Sequence, residues 1–224
     1  MRRIAAVLAA LLAGATGCGE EVRDQDGERP IASREYVRLD RPRIPPVEEI
    51  DWTSEQRAYL EPHAQAGRLF NVFKTAAHHP AAAAKWDAFA FGHINSEENT
   101  LSPRHREILI LRIGWLCRSE YEWAAHSAVA RSLGFTEEEL LDIIQGPEGD
   151  SWTPFEATLL RAVDELHRDA FITETTWDTL ASEYGAQQLT DLIFTVGTYN
   201  VVSMLLNSWG VQLDEGFEGF PIVP

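Results

Sequence analysis

From Thr53 onward, apolar residues return at three- and four-residue intervals instead of alternating, which is the spacing of helices with a buried face. The ends of the runs carry helix-terminus chemistry. Thr53 and Ser54 can cap a helix reaching about His63, and a second is predicted from about Arg68 to His78. Pro80 stands at the first-turn position of PAAAAKWDAFAFGHI, where its missing N–H leaves no bond unmade. Ser102 with Pro103 opens the next helix. Its run Ile108 to Leu116 is apolar nearly all round except for Arg112, so it is predicted to lie at the centre of a core. Ser119 begins a helix that Gly134 stops, and Thr136 to Glu139 is a capping box ahead of LLDII, which Gly146-Pro147 breaks. Three more helices are predicted over Thr153 to about Phe171, Thr173 to Tyr184 and Ala186 to about Ser208. No alternating strand pattern occurs, so the predicted fold class is all-α, with short connections that favour antiparallel neighbours.

The first part of the chain follows different rules. Arg2 and Arg3 precede an apolar run, Ile4 to Thr16, that is shorter than the roughly 20 residues needed to span a bilayer but fits a secretory signal. It ends in Ala15, Thr16 and Gly17 before Cys18, a pattern similar to a bacterial lipoprotein signal. Residues 1–18 are therefore expected to be a signal peptide with Cys18 lipidated, and the protein to be exported and anchored to the cell envelope. An ordinary cleaved signal or a structural Cys18 are the alternatives. Residues 19–47 are charged, proline-bearing and without periodicity. They are predicted to be a disordered tether, with an extended arm lying along the domain as the alternative. The domain is then expected over 48–213, with 214–224 as a tail. Of the two cysteines, a lipidated Cys18 leaves Cys117 without a disulfide partner.

Composition narrows the partners. With 35 acidic against 19 basic side chains the formal net charge is −16, and no basic stripe offsets it, which excludes a nucleic-acid-binding role. A small-molecule partner is the expectation that remains.

Candidate chemistry concentrates in SEYEWAAH, Ser119 to His126. At about 100° per residue, Glu122 and His126 lie about 40° apart and Ser119 within about 20° of His126, whereas Cys117 would project about 180° away. From spacing alone, a surface i,i+4 ion pair is the favoured reading of Glu122 and His126. A metal is not expected, because ExxxH supplies two ligands where catalytic zinc needs three, and His78, His79 and His93 are not selected by spacing. On the last helix, Asn200, Ser203 and Asn207 recur at i, i+3 and i+7 beside Tyr199. This polar stripe either lines the same cavity or serves hydrogen bonding in the core.

The segment REILILRIGWLCRSEYEWAAHSAVARSLGF, Arg106 to Phe135, resembles the carboxymuconolactone decarboxylase family, whose relatives include alkylhydroperoxidase D. The likeness extends over about Leu69 to Leu213, and it implies a helical bundle and a homo-oligomer. In the peroxidase branch a glutamate is followed by CxxC and a histidine. Glu107 and His126 match the glutamate and the histidine, but Ser119 and Glu122 occupy the cysteine positions and Cys117 lies two residues too early. That departure removes the sulfurs that thiol-based peroxide reduction requires. The set left by the resemblance is Glu107, Glu122 and His126; Ser119, from its place on the His126 face, and Tyr199 and Asn200, from the stripe on the last helix, are the expected pocket residues. It implies cofactor-free acid–base chemistry, either decarboxylation or proton transfer on a small lactone or carbon acid. A glutamate on an apolar helix is desolvated and holds its proton more tightly, and a histidine exchanges protons near neutral pH. The alternatives are an antioxidant of the alkylhydroperoxidase type, a non-catalytic binding lipoprotein, and a structural Glu107 paired with Arg104 or Arg112.

Overall fold

The computed structural model of the chain describes residues 38–64 and 68–221; the expected signal segment and Cys18 lie outside them. Every helix expected from the sequence is present, and no β-strand occurs among the described residues. The helices are α1 (Ser54–Leu60), α2 (Asn71–Ala76), α3 (Pro80–Phe89), α4 (Pro103–Leu116), α5 (Glu120–Ser132), α6 (Glu137–Gln145), α7 (Pro154–Asp169), α8 (Glu174–Glu183) and α9 (Ala186–Trp209). Thr53, Thr136 and Thr153 each accept from the amide three residues on while the side chain at that position accepts from the capping residue's own amide, so α1, α6 and α7 start with complete capping boxes.

Helix α4 is the hub. Residues Glu107 to Gly114 are all buried, and α5, α6, α7 and α9 pack around it. The core joins Ile108, Leu109, Ile110, Leu111 and Ile113 of α4 to Leu159, Leu160 and Val163 of α7 and to Leu189, Leu192 and Val196 of α9. One cation penetrates it. Arg112 donates from Nε and Nη2 to the Asp164 carboxylate at 2.7 and 3.0 Å, and from Nη1 to the carbonyls of Ile143 and Ile144 at 2.8 and 2.9 Å. Gly146, at φ 86°, lies so close to this guanidinium that a Cβ there would come within 2.5 Å of Nη2. A second, smaller cluster, Tyr59, Leu60, Phe73 and Ala77, packs α1 and α2 with Val47 and Trp52.

Two expected boundaries are displaced. Residues 38–47, placed by composition in the tether, are fixed along the helical body. The Arg43 and Ile44 amides donate to Trp209 O, Val47 N donates to Lys74 O, and Arg38 pairs with Glu120 at 2.6 Å. The apolar residues Leu39, Ile44 and Val47 and the free α9 C-terminal carbonyl explain why this stretch is held. The segment after residue 213 is likewise part of the body: the Tyr121 hydroxyl donates to Asp214, and the Phe220 ring stands edge-on to Trp115 at 5.0 Å.

Candidate active site

The site is made by a tight connection between α4 and α5. Cys117 ends α4, Arg118 adopts a left-handed conformation at φ 53°, and Ser119 precedes α5 with its amide bonded to Gly114 O at 2.8 Å. Gly114 lets the two helices close on each other; a Cβ there would stand 3.3 Å from that of Glu122. The connection sets the Glu107 face of α4 against the His126 face of α5.

Glu107, Glu122 and His126 are brought together. The Glu107 Oε2 lies 2.8 Å from His126 Nδ1, and Glu122 Oε2 lies 3.5 Å from His126 Nε2, so the imidazole is bracketed by two carboxyl groups. The side chains are 2%, 6% and 14% exposed respectively, which distinguishes the group from a solvated surface ion pair. Among the described residues Glu107 takes no arginine partner: Arg104 is engaged by Glu139 and Glu156 and Arg112 by Asp164.

The electrostatics follow from burial. Desolvation raises the Glu122 carboxyl from 4.5 to about 7. The His126 charge opposes this shift and the Glu107 charge adds to it. Burial by itself would lower the His126 imidazole, but the charge and hydrogen bond of Glu107, with a contribution from Glu122, outweigh it and raise its proton affinity. Near neutral pH the pair therefore exchanges a proton readily, and the titration belongs to the cluster as a whole. The Glu122 Oε2 is buried and has no hydrogen-bond partner.

Tyr199 of α9 closes one side, its ring edge-on to His126 with centroids 4.9 Å apart. Desolvation and the Glu122 charge raise the phenol well above its ordinary value, so it remains a neutral donor. Its oxygen accepts a 2.7 Å hydrogen bond from Asn95 Nδ2. Asn95 follows a single π-helical turn, Ala90–Ile94, that prolongs α3, and sequence reasoning missed it because no residue in AFGHI marks such a turn. Arg106 was also missed. Next to Glu107 on α4, it donates from Nη1 to Ser96 O at 3.3 Å, and its charge reaches both His126 and Tyr199.

Of the other expected pocket residues, Asn200 is engaged at the end of α4. Ser119 is fully buried, its side chain does not cap α5, and its Oγ has no hydrogen-bond partner among the described residues. Asn200 turns to Cys117, whose Sγ lies 3.0 Å from Asn200 Oδ1, and Asn207 Nδ2 donates to Cys117 O at 2.9 Å. The polar stripe of α9 thus serves the end of α4, since Asn200 sits about 100° around the helix from Tyr199. Burial pushes the Cys117 thiol up to about 11. Among the described residues no three His, Cys, Asp or Glu side chains form a metal-holding group.

The architecture is that of an all-α, AhpD-like protein. An "alkylhydroperoxidase AhpD core" protein from Ralstonia eutropha JMP134, an uncharacterized peroxidase-related protein, has a similar structure at TM-score 0.68. It is 18% identical, covering 78% of this chain and 93% of its own. A peroxidase-related protein from Silicibacter sp. TM1040 is similar at TM-score 0.67 and 17% identity, over 80% of this chain and 97% of its own. The debrominase Bmp8, in a cysteine-to-alanine variant bound to 2,3,4-tribromopyrrole, is similar at TM-score 0.63 and 14% identity, over 79% and 94%. No curated protein matches the chain. The sequence model of the carboxymuconolactone decarboxylase family matches residues 80–165, a span containing Glu107, Glu122 and His126. Over residues 80–165 the chain thus matches the carboxymuconolactone decarboxylase family, and its fold is AhpD-like.

Proposed function

We propose that the protein is a cofactor-free enzyme that moves a proton on, or decarboxylates, a small lactone or carbon acid. The observation that carries this reading is the buried imidazole held between two carboxyl groups, one of them raised to about 7. An acid or base acts best when its proton affinity lies near the working pH. Glu107, as a carboxylate at 2.8 Å, favours the proton on His126 Nδ1 and leaves Nε2 with its lone pair. Nε2 can then accept a proton from carbon beside a carbonyl, while Glu122 in its acid form donates to the carbonyl oxygen. In the decarboxylation variant the C–C bond electrons pass into the enolate as carbon dioxide leaves. The proton on Glu122 or His126 then adds to carbon.

Thiol chemistry of the alkylhydroperoxidase kind has less support. Ser119 and Glu122 stand at the expected cysteine positions, and Cys117 carries a thiol pushed up to about 11. Incubating the protein with a panel of small lactones and carbon acids, while following carbon dioxide release and solvent deuterium uptake, tests the proposal. Turnover in the wild type and its loss in His126→Ala are expected, whereas peroxide reduction by a dithiol through Cys117 would overturn it.

Two further parts of the reading concern the setting. A homo-oligomer is supported by α9, which buries Leu192, Val196 and Leu206 on one face and exposes Ile193, Phe194, Val201 and Met204 on the other. Anchoring to the cell envelope through Cys18 is supported by the N-terminal residue pattern, and equal palmitate-analogue labelling of wild type and Cys18→Ser would end it.

A further inference from the structure

The two carboxyl groups and the imidazole leave one charged neighbour of the site unused. Arg106 precedes Glu107 on α4 and is partly buried. Its side chain is tied to the site by a chain of contacts: Nη1 to Ser96 O at 3.3 Å, neighbouring Asn95 to the Tyr199 hydroxyl at 2.7 Å, and the Tyr199 ring against His126. Its Nε–H is buried without an acceptor, and no carboxylate within ion-pair distance neutralises it among the described residues. Other buried or half-buried arginines of this chain are matched: Arg104 by Glu139 and Glu156, Arg112 by Asp164.

A buried guanidinium donor left unmade costs as much as a lost charged hydrogen bond, and such a cost persists where a ligand relieves it. The positive charge also works against protonation of His126, so as a structural feature it opposes the charge pattern that Glu107 and Glu122 build. An anion at the guanidinium would remove both costs together. The planar fork of an arginine fits a carboxylate with two parallel donors.

We infer that Arg106 is the anion-binding residue of this site, and that the substrate presents to it a carboxylate while its reacting carbon faces His126. The inference rests on the acid–base reading for the identity of the site. It adds that the substrate enters as an anion, although the chain as a whole carries a net charge of −16. In this arrangement the anionic group bound by Arg106 is not the one lost as carbon dioxide. Holding it fixes the carbon beside the carbonyl for transfer of its proton to Nε2.

The test uses levulinate, a small keto acid, and its neutral amide levulinamide, titrated into the full chain labelled with 15N-histidine. Levulinate is expected to shift the His126 ring resonances saturably and levulinamide not to. Arg106→Gln should weaken levulinate binding by about ten- to a hundredfold, the loss that follows from removing a charge-assisted hydrogen bond, and Arg106→Lys should lie between. If Arg106→Gln does not fold, the lysine variant and the loss of affinity with added salt in the wild type carry the comparison. Equal binding of levulinate and levulinamide, unchanged affinity in the variants, or no saturable shift in the wild type would overturn the inference. Deuterium uptake by the carbon-acid panel separates it from the function it rests on. Anion binding without exchange leaves Arg106 assigned and removes the acid–base activity; exchange with wild-type affinity in Arg106→Gln does the reverse.

Discussion

Replacing Glu122 by glutamine should make the protein more stable, and increasingly so as pH rises. The side chain is 6% exposed, and desolvation lifts its carboxyl from 4.5 to about 7. Between those values the folded chain keeps a proton that the unfolded chain has released. Folding stability therefore falls with rising pH across that window, by up to about 1.4 kcal/mol per pH unit. Over the whole window the loss reaches about 3 kcal/mol, present in full above pH 7 and absent below 4.5. Glutamine has the same shape and no charge to desolvate, so the loss disappears. His126 has a raised proton affinity as well, and the stability it contributes is lost in the same direction, but only as pH passes above its ordinary 6.5. The interval from pH 5 to 6.5 therefore isolates Glu122. Urea unfolding of both proteins at half-unit steps from pH 4.5 to 8 reads the effect. The difference in stability should widen in favour of Glu122→Gln by about 3 kcal/mol. Parallel curves would show that Glu122 ionises as an ordinary carboxylate, and the acid role given to it would fall.

Arg112→Met should destabilise the fold by about 3 kcal/mol, because it strands the Asp164 carboxylate and two carbonyls that the guanidinium binds; a change below about 1 kcal/mol in urea unfolding would contradict the account. The Cys117 thiol, pushed up to about 11, should react slowly with a thiol-specific disulfide reagent at pH 8 and faster only as pH approaches that value, so rapid labelling at pH 7 would refute the burial argument. Sedimentation at micromolar concentration should show more than one chain per particle, and Met204→Glu, at a position 56% exposed on the apolar face of α9, should shift it toward monomer; a wild-type monomer would count against the assembly.

Helix positions were legible because their ends carry side-chain chemistry that acts locally. The capping threonines at 53, 136 and 153 and the prolines at 80, 103 and 154 fix where helices start whatever they pack against. For residues 38–47 the sequence left a tether and an extended arm both open, since the bonds that decide run from their own backbone to Trp209 and Lys74, distant in sequence. The same contrast divides the site. Glu122 and His126 share a helix, so period alone placed them on one face. The Glu107 contact depends on a turn in which Arg118 adopts a conformation that favours glycine, and the family resemblance, not spacing, pointed to it. Periodicity identified the polar stripe of α9 but not the neighbour it would meet, which is why Asn200 was assigned to the pocket and is found against Cys117. Asn95 and Arg106 reach the site through contacts with α9 and with a π turn that no residue pattern announces.

The most direct test of the acid–base centre is the rate of solvent deuterium uptake at carbon by the best member of the carbon-acid panel, measured by proton NMR near pH 7 for wild type, His126→Ala and Cys117→Ser. The account predicts uptake catalysed equally by wild type and Cys117→Ser and reduced at least about a hundredfold in His126→Ala, the span ordinarily contributed by a positioned general base. Uptake that survives in His126→Ala and vanishes in Cys117→Ser would contradict it and assign the chemistry to the thiol.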